Sequence, residues 1–178
     1  MGQSWDTYYT GHGSVMGHLL YSMYWWWDTL FDKNGLWTEF KGITDFMQGE
    51  NLAALTVTTA TITTKGAQAL ALQSDKRALV WIRSDGYGVD AAQAAYAKAI
   101  KQAIKTKVPL KNWKYEPPLV EKLTLIVTGL KDGDYTAHWY SPTGAQWGDT
   151  VKVQVKNGKL TLALPTLQRD LAVKIEGK

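Results

Sequence analysis

The sequence contains no cysteine, which excludes disulfide bonds and thiolate metal sites and leaves the redox compartment undetermined. It also lacks a strong excess of one charge. Its 20 basic and 16 acidic residues leave a formal net charge of +4, which is too small to predict nucleic acid as a partner. Hydrophobic residues make up 45% of the chain and charged residues 20%, so a globular fold with a proper core is expected.

Long apolar runs are missing as well. The longest one, residues 15–27, is too short to cross a bilayer and contains polar residues. The first residues, MGQSWDTYYTGHG, have neither the positive region nor the apolar region of a signal peptide. We therefore expect no membrane partner, and the chain shows no export signal.

Motifs for metal binding or nucleophilic catalysis are also lacking. His12, His18 and His138 do not have the spacing of a metal motif, and Ser14 in GHGSVMG lacks the flanking glycines of a nucleophile elbow. The stretch DKNG, which begins at Asp32, matches the opening of a calcium loop but not its remainder. A plain turn is the preferred interpretation, with calcium as a minority alternative. No cofactor and no metal are expected.

Short strands dominate the chain after Gly49. Alternating or apolar segments between turn residues predict about eight strands, at residues 55–63, 67–73, 78–84, 120–128, 133–140, 150–155, 159–164 and 171–175. The pairs Asp132-Gly133 and Asn157-Gly158 predict hairpin turns. The expected fold class is mainly β, an antiparallel β-sandwich.

One helical segment interrupts these strands. Residues 90–106 are rich in alanine, and Lys98, Lys101 and Lys105 recur at helical spacing. Asp90 is the predicted N-cap. We interpret the segment as an amphipathic helix inserted in the sandwich, with its basic side as a solvated face rather than a site for an anionic partner.

The first 49 residues differ in composition and predict a separate unit. Apolar residues at both parities of 19–27 are typical of a strand covered on two faces. Residues 36–47 show helical spacing and stop near Gly49, a typical helix terminator. Two domains are therefore predicted: a strand–helix unit at 1–49 and a β-sandwich at 50–178, with the helical insertion at about 90–106.

Aromatic residues supply the candidates for ligand contact. In a strand, Trp25 and Trp27 point one way and Trp26 the other, so the three rings cannot share one environment. Spacing alone favours core packing for most of them, and stacking on a sugar is the alternative. The candidates for carbohydrate binding are Trp25, Trp26, Trp27, Asp28, Trp139, Tyr140 and Trp147. No two acids are seen to converge on one cleft, so no catalytic residue is predicted.

Several stretches resemble a known family. The segment YSMYWWWDTLFDKNGLWTEFKGITDFMQG resembles the end of the (β/α)8 barrel in a group of bacterial glycoside hydrolases, where the last strand ends in a run such as YWWWD. There the final helix leads into a C-terminal β-sandwich. ALALQSDKRALVWIRS and DGDYTAHWYSPTGAQWGD resemble the paired strands and a hairpin of that sandwich, a domain that sequence profiles label collagen-binding.

The resemblance implies roles for particular residues. Trp26, Trp27 and Asp28 would lie under the sugar at the C-terminal face of the barrel. The catalytic glutamates of such barrels come from the fourth and seventh strands, which this chain does not contain. We therefore expect no hydrolysis from this chain alone. An extracellular or periplasmic location is suggested by the resemblance alone.

The expected function is that of a carbohydrate-active protein. The chain would be the non-catalytic C-terminal portion of a glycoside hydrolase, supporting the barrel and being a candidate for binding a polysaccharide or oligosaccharide. Exposed apolar strand edges also predict a homodimer through the N-terminal segment. Three alternatives stay open: a stand-alone carbohydrate-binding module, a structural or protein-interaction sandwich, and a small hydrolase with acids near Asp28.

Overall fold

The computed structural model describes Lys33 and residues 37–178. Residues 37–178 form two α-helices, α1 (Trp37–Met47) and α2 (Val89–Thr106), and a short 3-10 helix, Leu52–Ala54. The same residues form nine strands: β1 Thr56–Thr58, β2 Ala60–Ile62, β3 Ala67–Gln73, β4 Arg77–Ser84, β5 Thr124–Thr128, β6 Gly133–Ser141, β7 Gln146–Val155, β8 Lys159–Ala163 and β9 Asp170–Gly177. The strand predicted at 19–27 lies outside the described residues.

The strands form two antiparallel sheets. The larger sheet has the order β1-β3-β4-β9-β6-β7, and the smaller has the order β2-β5-β8. The main core lies between the sheets and contains Val80 and Ile82 of β4, Leu125 and Val127 of β5, and Ile175 of β9. These residues alternate along their strands, because successive side chains of a strand point to opposite faces. The prediction of a mainly β, antiparallel sandwich-like fold is confirmed.

The predicted strand at 55–63 is wrong in one respect. The segment forms two strands in different sheets, with Thr56 opposite Gln73 of β3 and Ala60 opposite Val127 of β5. The side-chain alternation continues across Thr59 while the hydrogen-bonding partner changes. Alternation alone does not reveal a change of partner, so this crossing between the sheets was not predicted.

The two predicted hairpin turns have different outcomes. Asn157 and Gly158 both have positive φ angles, +53° and +68°, and form a tight turn closed by paired backbone hydrogen bonds between Lys156 and Lys159. Beyond this pair the chain continues into β7 and β8, which belong to different sheets. Asp132-Gly133 is no hairpin, because β5 and β6 on either side of it do not pair with each other. The Asp132 carboxylate instead accepts the backbone N–H groups of Gly158 (2.7 Å) and Asn157 (3.0 Å), which lowers its pKa.

The inserted helix lies between β4 and β5, as predicted, but its N-cap differs. Gly88 occupies the cap without a side-chain hydrogen bond, and Asp90 lies within the first turn. A carboxylate there still interacts favourably with the helix dipole. The helix ends at Thr106 and is capped by Lys107, which has a left-handed φ of +54°. No residue of α2 is fully buried, so this helix adds little to the main core.

Candidate functional site

The outer face of the larger sheet, opposite the main core, carries a row of large side chains. Strand register places Leu70, Trp81, Ala172, Tyr140 and Trp147 side by side across β3, β4, β9, β6 and β7, and we name this set the aromatic row. Ala172 is the small member of this row. The sheet surface is therefore recessed between Trp81 and Tyr140, which are two strands apart.

Helix α1 packs on this face through Phe46. The Phe46 ring is 6% exposed and lies 5.4 Å from the Tyr140 ring and 6.1 Å from the Trp147 ring, measured between centroids. The helix approaches the sheet closely at Gly42, where an added Cβ would lie 2.6 Å from the carbonyl oxygen of Pro142. The helix predicted at 36–47 thus forms and lies directly on the sandwich. The domain boundary at residue 49 stays a prediction.

A buried ion cluster fixes the segment that follows α1. The Glu50 side chain is buried, pairs with Arg77 and Lys174, and accepts a hydrogen bond from Arg77 Nε at 2.8 Å. Burial by itself raises the pKa of Glu50, but the hydrogen bonds and charges of Arg77 and Lys174 outweigh it, so the pKa lies below its ordinary value. Arg77 also pairs with Glu176. These charges connect α1 to strands β4 and β9.

Lys174 joins the ion cluster to the aromatic rings. Its Nζ atom lies 5.4 Å from the centroids of both Phe46 and Trp147 and donates a hydrogen bond to the carbonyl oxygen of Gln48 at 3.3 Å. Ammonium groups are attracted to ring faces and to the carbonyl groups that follow a helix. One cation therefore contacts the aromatic row, the end of α1 and Glu50.

An apolar cleft of about 290 Å³ opens between α1 and the recessed part of the row. Its lining comes from α1 (Gly42, Ile43, Phe46, Met47) and from the sheet and its loops (Trp81, Tyr140, Pro142, Asp170, Ala172). Trp81 is 36% exposed, and its Nε1 donates a hydrogen bond to Asp170 Oδ2 at 3.3 Å. The Asp170 carboxylate is the single acidic group that lines the cleft among the described residues.

The hydroxyl of Tyr140 is buried and has no hydrogen-bond partner within the described part of the chain. Burial, with a smaller contribution from the charge of Asp45, raises the pKa of this phenol. A buried hydroxyl without a partner carries a desolvation cost. A ligand or a protein segment that reached this oxygen would therefore gain a hydrogen bond.

Three rings that the sequence proposed for carbohydrate binding fall within the described residues, and they lie in different environments. Trp139 faces the main core and is 5% exposed, and Tyr140 is fully buried under α1 on the opposite face. Neither offers an open ring face. Trp147 is 41% exposed and packs against His138, with 4.4 Å between the ring centroids. Three of the seven candidates thus fall within the described residues, and the other four (Trp25, Trp26, Trp27 and Asp28) lie outside them.

Sequence reasoning missed Trp81, Phe46 and the ion cluster. The sequence did contain a signal for Trp81. The stretch ALVWI in β4 is apolar at odd and even positions alike, which is typical of a strand covered on both faces. The partners of Glu50 lie 27 and 124 positions away in the sequence. No local pattern reveals such pairs.

Other classes of site have less support. Within the described residues, no three His, Asp or Glu side chains come close enough to hold a metal ion. None of the helices in that part of the chain is both long enough and apolar enough to cross a membrane.

No protein-family model matches the chain, and no curated protein shows significant similarity to it.

Proposed function

We propose that this chain is the non-catalytic C-terminal portion of a glycoside hydrolase, in which the β-sandwich supports the end of a barrel by holding α1. The observation that carries this proposal is the double attachment of α1, through Phe46 in the aromatic row and through Glu50 in the ion cluster. The sequence resemblance makes α1 the last helix of the barrel. The same attachments would then hold a barrel rigidly on the sandwich.

We further propose that the outer face contacts polysaccharide. Trp81 and Trp147 are the partly exposed tryptophans of the row, and three strand spacings of about 4.8 Å put them roughly 14 Å apart. Large aromatic faces pack well on the apolar faces of sugars, and Asp170 supplies an acceptor for a hydroxyl group. A stand-alone carbohydrate-binding module would use the same surface.

A protein-interaction role is the second candidate. It is favoured by the almost entirely apolar lining of the cleft, because sugar sites need several polar groups for the hydroxyls. Under this alternative, an apolar protein segment covers Trp81 and Ile43, and the outer face binds no sugar.

Intrinsic tryptophan fluorescence during titration with soluble β-glucans, mannans and xylans tests these proposals. We expect a saturable spectral shift without release of reducing ends. The variants Trp81→Ala and Trp147→Ala should each weaken binding by about tenfold, since one aromatic contact contributes about 1 kcal/mol. Trp113→Ala, which changes a tryptophan next to α2, is the matched control and should bind like the unaltered protein.

Each contrary outcome identifies another role. Release of reducing ends would show that this chain carries catalytic groups. Equal losses of affinity in all three variants would place sugar binding away from the outer face. An absence of any spectral shift would contradict carbohydrate binding and leave the protein-interaction alternative.

A further inference from the structure

The positive charge of this protein is concentrated in one segment. Residues 91–115, which we name the basic arm, contain six of the 20 basic residues and none of the 16 acidic ones. All other residues together have 14 basic and 16 acidic side chains, so they are slightly negative. The basic arm comprises α2 from Ala91 onward and the segment that follows it as far as Tyr115.

The lysines of the basic arm are available for a partner. All six are exposed: Lys98, Lys101, Lys105, Lys107, Lys111 and Lys114. None of them forms an ion pair with any carboxylate in the described part of the chain. The first three lie on one face of α2, where the helical rise separates them along the axis by about 4.5 Å and then about 6 Å. They therefore form a continuous positive stripe.

The other lysines are held close to this helix. The Trp113 ring packs on the Tyr96 ring of α2, with 5.0 Å between centroids, and on the Tyr115 ring at 6.2 Å. The Tyr115 hydroxyl donates a hydrogen bond to the carbonyl oxygen of Gly86 at 2.8 Å. The chain after α2 thus folds back on the helix and is joined to the residues before it. Lys111 and Lys114, on either side of Trp113, belong to the same unit as the helical stripe.

The sequence alone favoured a solvated face for the basic side of α2. Because the structure adds the lysines of the following segment to that stripe, we propose instead that the basic arm binds an acidic polysaccharide, a chain whose sugars carry carboxylate groups. An exposed surface with six positive charges and no acid is complementary to a polyanion. All six cations are lysines, which act as point charges and attract an anionic chain without the bidentate contacts that arginine makes to carboxylate and phosphate groups. The choice of a carboxylated polysaccharide among polyanions rests on the proposed function. The basic arm and the outer face of the larger sheet have no residue in common.

The test compares two triple variants that remove the same charge. Lys98→Gln, Lys101→Gln and Lys105→Gln together remove the helical stripe, and glutamine keeps a good helix propensity. Lys65→Gln, Lys131→Gln and Lys152→Gln remove three exposed lysines from the sandwich instead. The affinity of the full chain for polygalacturonate, for neutral galactan and for double-stranded DNA is measured at low and at physiological salt, with circular dichroism to check folding.

We expect the stripe variant to bind polygalacturonate roughly tenfold more weakly than the sandwich variant at low salt, since three exposed ion pairs are lost. Added salt should weaken the binding of the unaltered protein, because the charges are exposed. Equal losses in the two variants would overturn the proposal, as would tighter binding to DNA or no binding to polygalacturonate. The neutral-glucan titration of Trp81 and Trp147 tests other residues, so either proposal can fail while the other stands.

Discussion

Glu50 connects the segment that follows α1 to strands β4 and β9. Its carboxylate is buried between Arg77 and Lys174, and Lys174 in turn contacts the Phe46 ring and the end of the helix. Removing one member of a buried charge cluster leaves the others without compensation, which costs more than the cluster itself contributes. A single carboxylate therefore affects two strands and a helix.

We predict that Glu50→Gln lowers the free energy of unfolding by about 2–3 kcal/mol at neutral pH. The expected loss is somewhat smaller than for breaking a fully buried ion pair, because Arg77 still pairs with Glu176 in the variant. The folded-state pKa of Glu50 lies below its ordinary value of 4.5, so the stabilisation is complete above that pH and is lost as the pH falls through the folded-state pKa. Denaturant unfolding at several pH values measures this.

The matched control is Glu121→Gln, which changes an exposed glutamate. Its effect on unfolding should be small at every pH. If the difference between the unaltered protein and Glu50→Gln were the same at pH 3 as at pH 7, the ion cluster would not be the source of the stability.

At the scale of elements, the contact between α1 and the sheet is set by Gly42. Glycine in the middle of a helix costs about 1 kcal/mol relative to alanine, so its presence needs a reason. The reason is the carbonyl oxygen of Pro142, which leaves no room for a Cβ on this side of the helix. Gly42 therefore lowers the helix propensity of α1 but allows the helix to lie close to the aromatic row.

We predict that Gly42→Ala lowers the melting temperature, although alanine is the better helix former. The new Cβ would lie 2.6 Å from the carbonyl oxygen of Pro142 and force α1 away from the sheet. Gly148→Ala, where the nearest atom would be 3.6 Å away, is the control and should change the melting temperature little. A higher melting temperature for Gly42→Ala would show that α1 does not pack as described.

At the scale of the whole molecule, the sandwich and α2 depend little on each other. The main core contains residues of both sheets and none of α2. The order of the strands in both sheets is set by pairings that do not involve α2. The helix is therefore an addition to a fold that the strands complete without it.

We predict that replacing residues 90–113 with a flexible Gly–Ser linker leaves the sandwich folded. Because no buried side chain is removed, the melting temperature should change by a few degrees at most. Calorimetry and near-ultraviolet circular dichroism would check this. Loss of the cooperative transition would mean that the basic arm is part of the structural core.

Much of the fold could be predicted from the sequence, since local patterns carry it. Alternation gave β3 with its observed bounds, helical spacing gave α1 and α2 within one residue at each end, and Asn157-Gly158 gave its tight turn. The candidate site was harder to predict. Of its residues, Tyr140 and Trp147 were named from the sequence, whereas Trp81 and the charges around Glu50 were not.

Sequence by itself determined most of the helices and strands in the described part of the chain, the absence of thiol chemistry and the concentration of lysines in the basic arm. Backbone propensity, side-chain period and charge are local properties, so they can be read from neighbouring residues. Only the tertiary structure decided which face of each strand is covered. Trp139 and Tyr140 are neighbours in the chain, yet one lies between the sheets and the other under α1. Such contacts join residues distant in sequence, and no local pattern specifies them.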